Sequence, residues 1–179
     1  VLELVGALND QNGIDRSKGF HQAMMQDEKI QVIQVPTDWN LDTAFVDMER
    51  IFRSYPDIKA VFCGTDSFFP NVESVLDNIG FIRQMERTYI CDWCEWSKEG
   101  YNAVLSGTAD GVMVMDLDEI GKAAVTVADK LIKNENVEKT IIIEGRYCTT
   151  DTIKESQETY WELNKYISCR RRLCYSLII

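Results

Sequence analysis

Residues 87–96 read Arg-Thr-Tyr-Ile-Cys-Asp-Trp-Cys-Glu-Trp, a short apolar run followed by an acid and two tryptophans in an acidic turn. The run predicts a buried strand whose carboxyl end presents Asp92 and Trp93. A carboxylate beside an aromatic face is chemistry suited to polyols. An ionised carboxylate accepts hydroxyl bonds in pairs, and flat rings pack against C–H faces. The same stretch holds Cys91-x-x-Cys94, the spacing of redox pairs and of half a zinc site. No second such pair follows, and the single histidine, His21, lies far away in sequence, so neither metal nor redox function is expected and no cofactor is implied. The competing structural reading is a strand end with a capping Asp and two half-buried tryptophans.

Composition narrows the classes. The chain has 179 residues, 45% hydrophobic and 27% charged, ordinary usage for a globular protein with one substantial core, or one domain and part of another. A formal net charge of −10 repels phosphate backbones and anionic lipid, so nucleic acid is not an expected partner. No stretch of eighteen apolar residues is present to span a bilayer. The opening Val-Leu-Glu-Leu-Val has no signal-peptide pattern, and the chain is expected to be a fragment or to begin inside a larger protein. Six scattered cysteines lack the spacing of a disulfide framework and lean weakly towards a reducing compartment. Residues 168–179, with Arg170-Arg171-Arg172, lose helical patterning and have no physical account.

The elements that must position these residues alternate between apolar strand-like runs and amphipathic helical segments, the pattern of parallel βαβ architecture. Strands are expected at 2–5, 29–35 (near a sheet edge, ending at Pro36), 58–63, 88–92, 111–115 and 140–144. Helices are expected at 13–26, with Ile14, Phe20 and Met24 or Met25 facing a core, and at 41–54 after the N-cap Asn40. Others run from about Pro70 to Gly80, over 97–106 closed by Gly107, over 116–133, and from about 151 to 167. The acids at 116–119 complement a helix dipole and lack the glycine and distal Glu of a calcium loop. In open sheets of this kind ligands sit outside the carboxyl ends of the strands. No dinucleotide fingerprint, P-loop or nucleophile elbow occurs.

Several stretches together resemble the C-terminal half of type I periplasmic sugar-binding proteins, the ribose, galactose and xylose group that feeds ABC transporters. The resemblance covers roughly residues 2–144. Asp15-Arg16-Ser17-Lys18-Gly19-Phe20 looks like the family's Arg-x-x-Gly-Phe, whose arginine binds sugar hydroxyls or the ring oxygen, which implies that role for Arg16. Asp38-Trp39-Asn40 falls where the family stacks an aromatic on the sugar, which implies Trp39. Residues 54–66 match the family's helix end, Pro-Asp turn, strand and terminal Asn-Asp. Thr65 stands in place of the Asn, offering one hydroxyl where the family has an amide, and Asp66 stays in register, which implies ligand-binding roles for both. Asp92 corresponds to the aspartate that accepts two adjacent sugar hydroxyls, with Trp93 beside it. Met115 takes the place of a ligand-binding Gln or Asn, implying a less polar edge to the ligand.

The resemblance implies an α/β fold with a doubly wound, mostly parallel sheet of Rossmann or flavodoxin-like topology. It divides the chain into a ligand-binding lobe (1–115), a crossing helix and strand that complete the hinge and the first lobe (116–150), and a terminal helix and irregular tail (151–179). The implied function is recognition of a small-molecule sugar or polyol, without catalysis, as the extracytoplasmic solute-binding component of an ABC transporter or a sensor. Its implied partners are a membrane permease or sensor and an N-terminal lobe missing from this chain; exposed apolar surface is expected to drive self-association. The alternative is the effector-binding domain of a LacI-type transcription regulator, which would be cytoplasmic. It lacks support from a Pro-Asp element between Gly80 and Thr88 and from an Asp-Asp pair at Asp92. A third class is an enzyme, using either Cys91 and Cys94 or Asp66 and Asp92.

Overall fold

The computed structural model describes residues 1–80 and 97–154, together with the backbone of the strand at 88–94. The strands are β1 (Leu2–Val5), β2 (Ile33–Pro36), β3 (Ala60–Cys63), β4 (Thr88–Cys94), β5 (Gly111–Val114) and β6 (Arg146–Thr149). They form one sheet in the order β2-β1-β3-β4-β5-β6. The first five are parallel and β6 runs antiparallel to β5. This is the doubly wound, mostly parallel α/β architecture expected, in flavodoxin-like order, with its topological switch point between β1 and β3.

The helices are α1 (Gln11–Met24), α2 (Leu41–Ser54), α3 (Phe69–Asn78), α4 (Lys98–Ser106) and α5 (Leu117–Ile132). Strand alternation sorts α1 to α4 onto the two sheet faces. Leu2, Leu4, Val61 and Cys63 point into the main core with Met48, Phe52, Val72, Leu76 and Val104 from α2, α3 and α4. Glu3 and Phe62 point the other way, under α1, where Phe20 stacks on Phe62 at 4.1 Å.

That second face corrects the expected packing of α1. Its buried residues are Gly13, Ser17 and Phe20, whereas Ile14 and Met25 are exposed. The fully buried Glu3 sets this pattern, because a buried carboxylate must be met by polar groups. Glu3 Oε2 lies 2.8 Å from His21 Nε2 and accepts from Gln34 Nε2 at 3.0 Å; the same amide donates to Ser17 Oγ. The sole histidine thus serves the seat of α1.

Several boundaries move, and β4 runs on to Cys94, so Asp92 and Trp93 stand within the strand and not at its carboxyl end as expected. β2 begins only at Ile33 because Asp27 closes a turn, accepting from the backbone N–H of Lys29 and, through its carbonyl, from that of Ile30. A 3-10 turn, Asp66–Phe68, precedes α3. The sixth strand is Arg146–Thr149, not 140–144: Cys148 is buried against β5 while Ile141 and Ile142 remain exposed. The expected final helix lies almost wholly outside the described residues, as does the arginine-rich tail. Among the described residues no helix is long and apolar enough to cross a membrane.

Candidate functional site

At the carboxyl ends of β1 and β3 the chain makes a small crevice floored by glycine. β1 leads into Gly6 and β3 into Gly64, and the Gly64 N–H donates to the Leu4 carbonyl at 2.9 Å. A methyl group on Gly6 would overlap the indole of Trp39, so glycine there lets the ring lie directly on the strand end.

Trp39 reaches this position through a tight turn. Thr37 is fully buried, and both its N–H and its hydroxyl donate to the Val5 carbonyl, at 3.0 and 2.7 Å. Asn40 N–H then donates to the Thr37 carbonyl at 2.9 Å. The central residues Asp38 and Trp39 have φ of 51° and 59°, the left-handed arrangement of a type I′ turn. Asp tolerates that region and a bulky aromatic rarely does. Asn40 caps α2 by accepting from Thr43 N–H.

Arg16 approaches from α1. Its guanidinium carbon lies 5.2 Å from the Trp39 ring centroid, within cation–π range, and its Nη1 donates to the Gly64 carbonyl at 2.7 Å. Asp10 completes the group. One carboxylate oxygen accepts from Trp39 Nε1 at 3.1 Å, and the other caps α1 by accepting from Asn12 N–H at 3.3 Å. The crevice can therefore offer a flat aromatic surface, a guanidinium and a carboxylate within one small space.

The structure thus brings Arg16 and Trp39 together and sets Thr65 next to them in sequence after Gly64. Thr65 Oγ1 caps the 3-10 turn, accepting from Ser67 N–H at 3.4 Å. Asp66 turns inward. It is 1% exposed, and its Oδ2 accepts from both the backbone N–H (3.0 Å) and the hydroxyl of Ser97 at the start of α4. Asp92 and Trp93 lie on β4, where the pairing with β5 slips between Cys91 and Cys94. Such a bulge re-aims the residues it contains, but the side chains of Asp92, Trp93, Cys91 and Cys94 lie outside the described residues. Met115 follows β5, half-buried. Sequence reasoning missed Asp10 and Gly6. Asp10 had a readable signal, its type just before a helical pattern, but its bond to a residue 29 positions later had none.

Fold and crevice define an open α/β domain with a polar and aromatic recess at its topological switch point. Comparison with known proteins makes the class specific. The model of the periplasmic binding protein domain matches residues 1–136, and the chain belongs to that family. It is 26% identical over 138 residues to the ribose import binding protein of Salmonella typhimurium, a match taking in 77% of this chain and 45% of the relative. It is 33% identical over 76 residues to the D-apiose import binding protein of Paraburkholderia graminis, 42% of this chain and 24% of that one. The chain thus spans about half the length of the ribose relative, and its match to the D-apiose relative takes in about a quarter of that protein. A periplasmic solute-binding protein of an Actinobacillus succinogenes ABC transporter, solved with bound D-allose, shares the fold with a TM-score of 0.75. It is 15% identical and covers 86% of this chain and 54% of its own.

Proposed function

We propose that this chain is the ligand-binding lobe of an extracytoplasmic sugar or polyol receptor, the solute-binding component of an ABC-type transporter or a sensor. The observation that carries the reading is the contact of Arg16 with Trp39 over Gly6 and Gly64, at the switch point of a family domain. A cation beside an aromatic plane, with the Asp10 carboxylate at hand, suits a ligand with apolar C–H faces and hydroxyl edges. The named import proteins favour a receptor over a regulator. Bond-making on the ligand forms no part of the proposal.

In this reading Trp39 stacks on the ligand, Arg16 and Thr65 donate to its oxygens, and Asp92 accepts from two of its hydroxyls beside Trp93. Met115 borders a less polar edge. Asp66 contributes by fixing the start of α4 through Ser97. Residues 1–115 form the lobe, while α5 and the following segment belong to the hinge and to a second lobe, whose closure excludes water from the ligand.

The test is titration calorimetry on the full-length receptor with D-ribose as the first probe. Trp39→Ala and Asp92→Ala are each expected to cost at least about 1.5 kcal/mol of affinity, the scale of a stacked aromatic or a charged hydrogen bond. Parent-like binding by both variants would refute the site.

A further inference from the structure

We infer that Asp10 is the positioning residue of the site, fixing the Trp39 indole and the Arg16 helix through one carboxylate. The inference deepens the ligand-binding reading and rests on it only for its affinity readout.

Three observations converge. The Trp39 backbone sits in the left-handed region at φ 59°, where a bulky residue persists only if surrounding contacts hold it. The indole N–H, the side chain's one polar handle, is taken by Asp10 Oδ2 at 3.1 Å. The other Asp10 oxygen accepts from Asn12 N–H and caps α1. Six residues further along that helix is Arg16, whose guanidinium lies 5.2 Å from the same ring. Asp10 therefore links the loop that carries the aromatic to the helix that carries the cation. Losing it frees the indole to rotate about its side-chain bonds and loosens the helix end that aims Arg16.

A consequence for recognition follows. With its N–H engaged, Trp39 presents only hydrocarbon surface, so it reads the C–H face of a ligand and supplies no hydrogen bond. Hydroxyl recognition falls to the other side chains.

The informative variant is Asp10→Ser in the full-length protein. Serine is as good a helix cap as aspartate but is too short to serve the indole as well, so it separates the two roles. Two readouts are taken: the Trp39 indole N–H resonance, assigned by its loss in Trp39→Phe, and the affinity for D-ribose. Asp10→Ser is expected to move that resonance, speed its exchange with solvent and leave the melting temperature close to the parent's. It should also weaken D-ribose binding about tenfold, the scale of one charge-assisted bond. Combined with Trp39→Phe, it should cost no more than the larger of the two single losses, because both remove the same contact.

An unmoved indole resonance in Asp10→Ser would overturn the inference, as would full additivity of the two variants' losses. If the parent does not bind D-ribose, the resonance alone decides Asp10, and the ligand reading fails separately. Should Asp10→Ser not fold, Asp10→Gly is read the same way: glycine is tolerated as a helix cap and offers the indole no side-chain oxygen.

Discussion

Cys63 shows how a single residue records the interior around it. Its thiol is fully buried at the end of β3, and burial pushes its pKa well above the ordinary value, with the nearby Asp66 charge adding to the shift. The folded chain therefore keeps this proton over a range where the unfolded chain loses it. Above the ordinary thiol value of about 8.5 the unfolded state binds fewer protons, so folding stability falls as pH rises, with a limiting slope of about 1.4 kcal/mol per pH unit. Below that value the group adds no pH dependence. Urea unfolding of the parent and of Cys63→Ala across the alkaline range should show a shallower decline in the variant. Equal slopes would mean that the thiol is reached by solvent. The same burial predicts an inert Cys63, consistent with its role as a small core residue and not as a nucleophile.

At the scale of elements, caps do much of the positioning, and α4 depends on a particular pair. Ser97 accepts from Gly100 N–H as the N-cap while its own hydroxyl donates to the buried Asp66 carboxylate. Ser97→Ala removes a cap and one of the bonds to a buried charge, together about 2–4 kcal/mol. The urea midpoint should fall accordingly, and Ser97→Thr, which keeps the hydroxyl, should recover much of the loss. A variant within about 0.5 kcal/mol of the parent would mean that Asp66 finds another donor. Caps were also the most legible part of the sequence. Asn40 for α2 and Gly107 (φ 77°) for α4 stand where residue type alone placed them, whereas Ser97, expected as the first helical residue, proves to be the N-cap of α4. Apolar patterning was a poorer guide wherever burial is decided by something distant. Ile14 was expected inside, but the buried Glu3 recruits Ser17 and His21 to that helix face. The isoleucines at 141–143 read as a strand, yet the edge of β5 is taken by the less apolar Arg-Tyr-Cys-Thr of β6. At the site, Arg16 and Trp39 were legible through family resemblance, and the Asp10 bond that joins their elements was not.

The whole molecule is asymmetric, and α5 carries the asymmetry. Helical spacing gathers Leu117, Ile120, Ala124, Ala128 and Leu131 into one apolar stripe flanked by Val125 and Ile132, yet no residue of α5 is buried. A different face of α5, with Glu119, Lys122, Thr126 and Lys130 beside Ala123 and Val127, lines a recess of about 740 Å³ shared with the segment at 136–144. The apolar stripe thus remains in solvent, with Leu117 52% and Leu131 56% exposed and the flanking Val125 and Ile132 more so. Contiguous apolar surface of this kind drives association, whereas a net charge of −10 opposes it through repulsion that salt screens. The 179-residue chain is therefore expected to self-associate in sedimentation velocity, more at high salt than at low. Val125→Lys combined with Ile132→Lys should shift it towards monomer. Because neither side chain is buried, the pair should change folding stability by no more than about 1 kcal/mol. A chain that stays monomeric at both salt concentrations would show that charge outweighs the stripe, leaving the stripe to be covered only by a partner whose surface matches it. If the double variant instead lowered the melting temperature sharply, α5 would be packing on the rest of the chain in solution, and the proposed division at residue 116 would have to move.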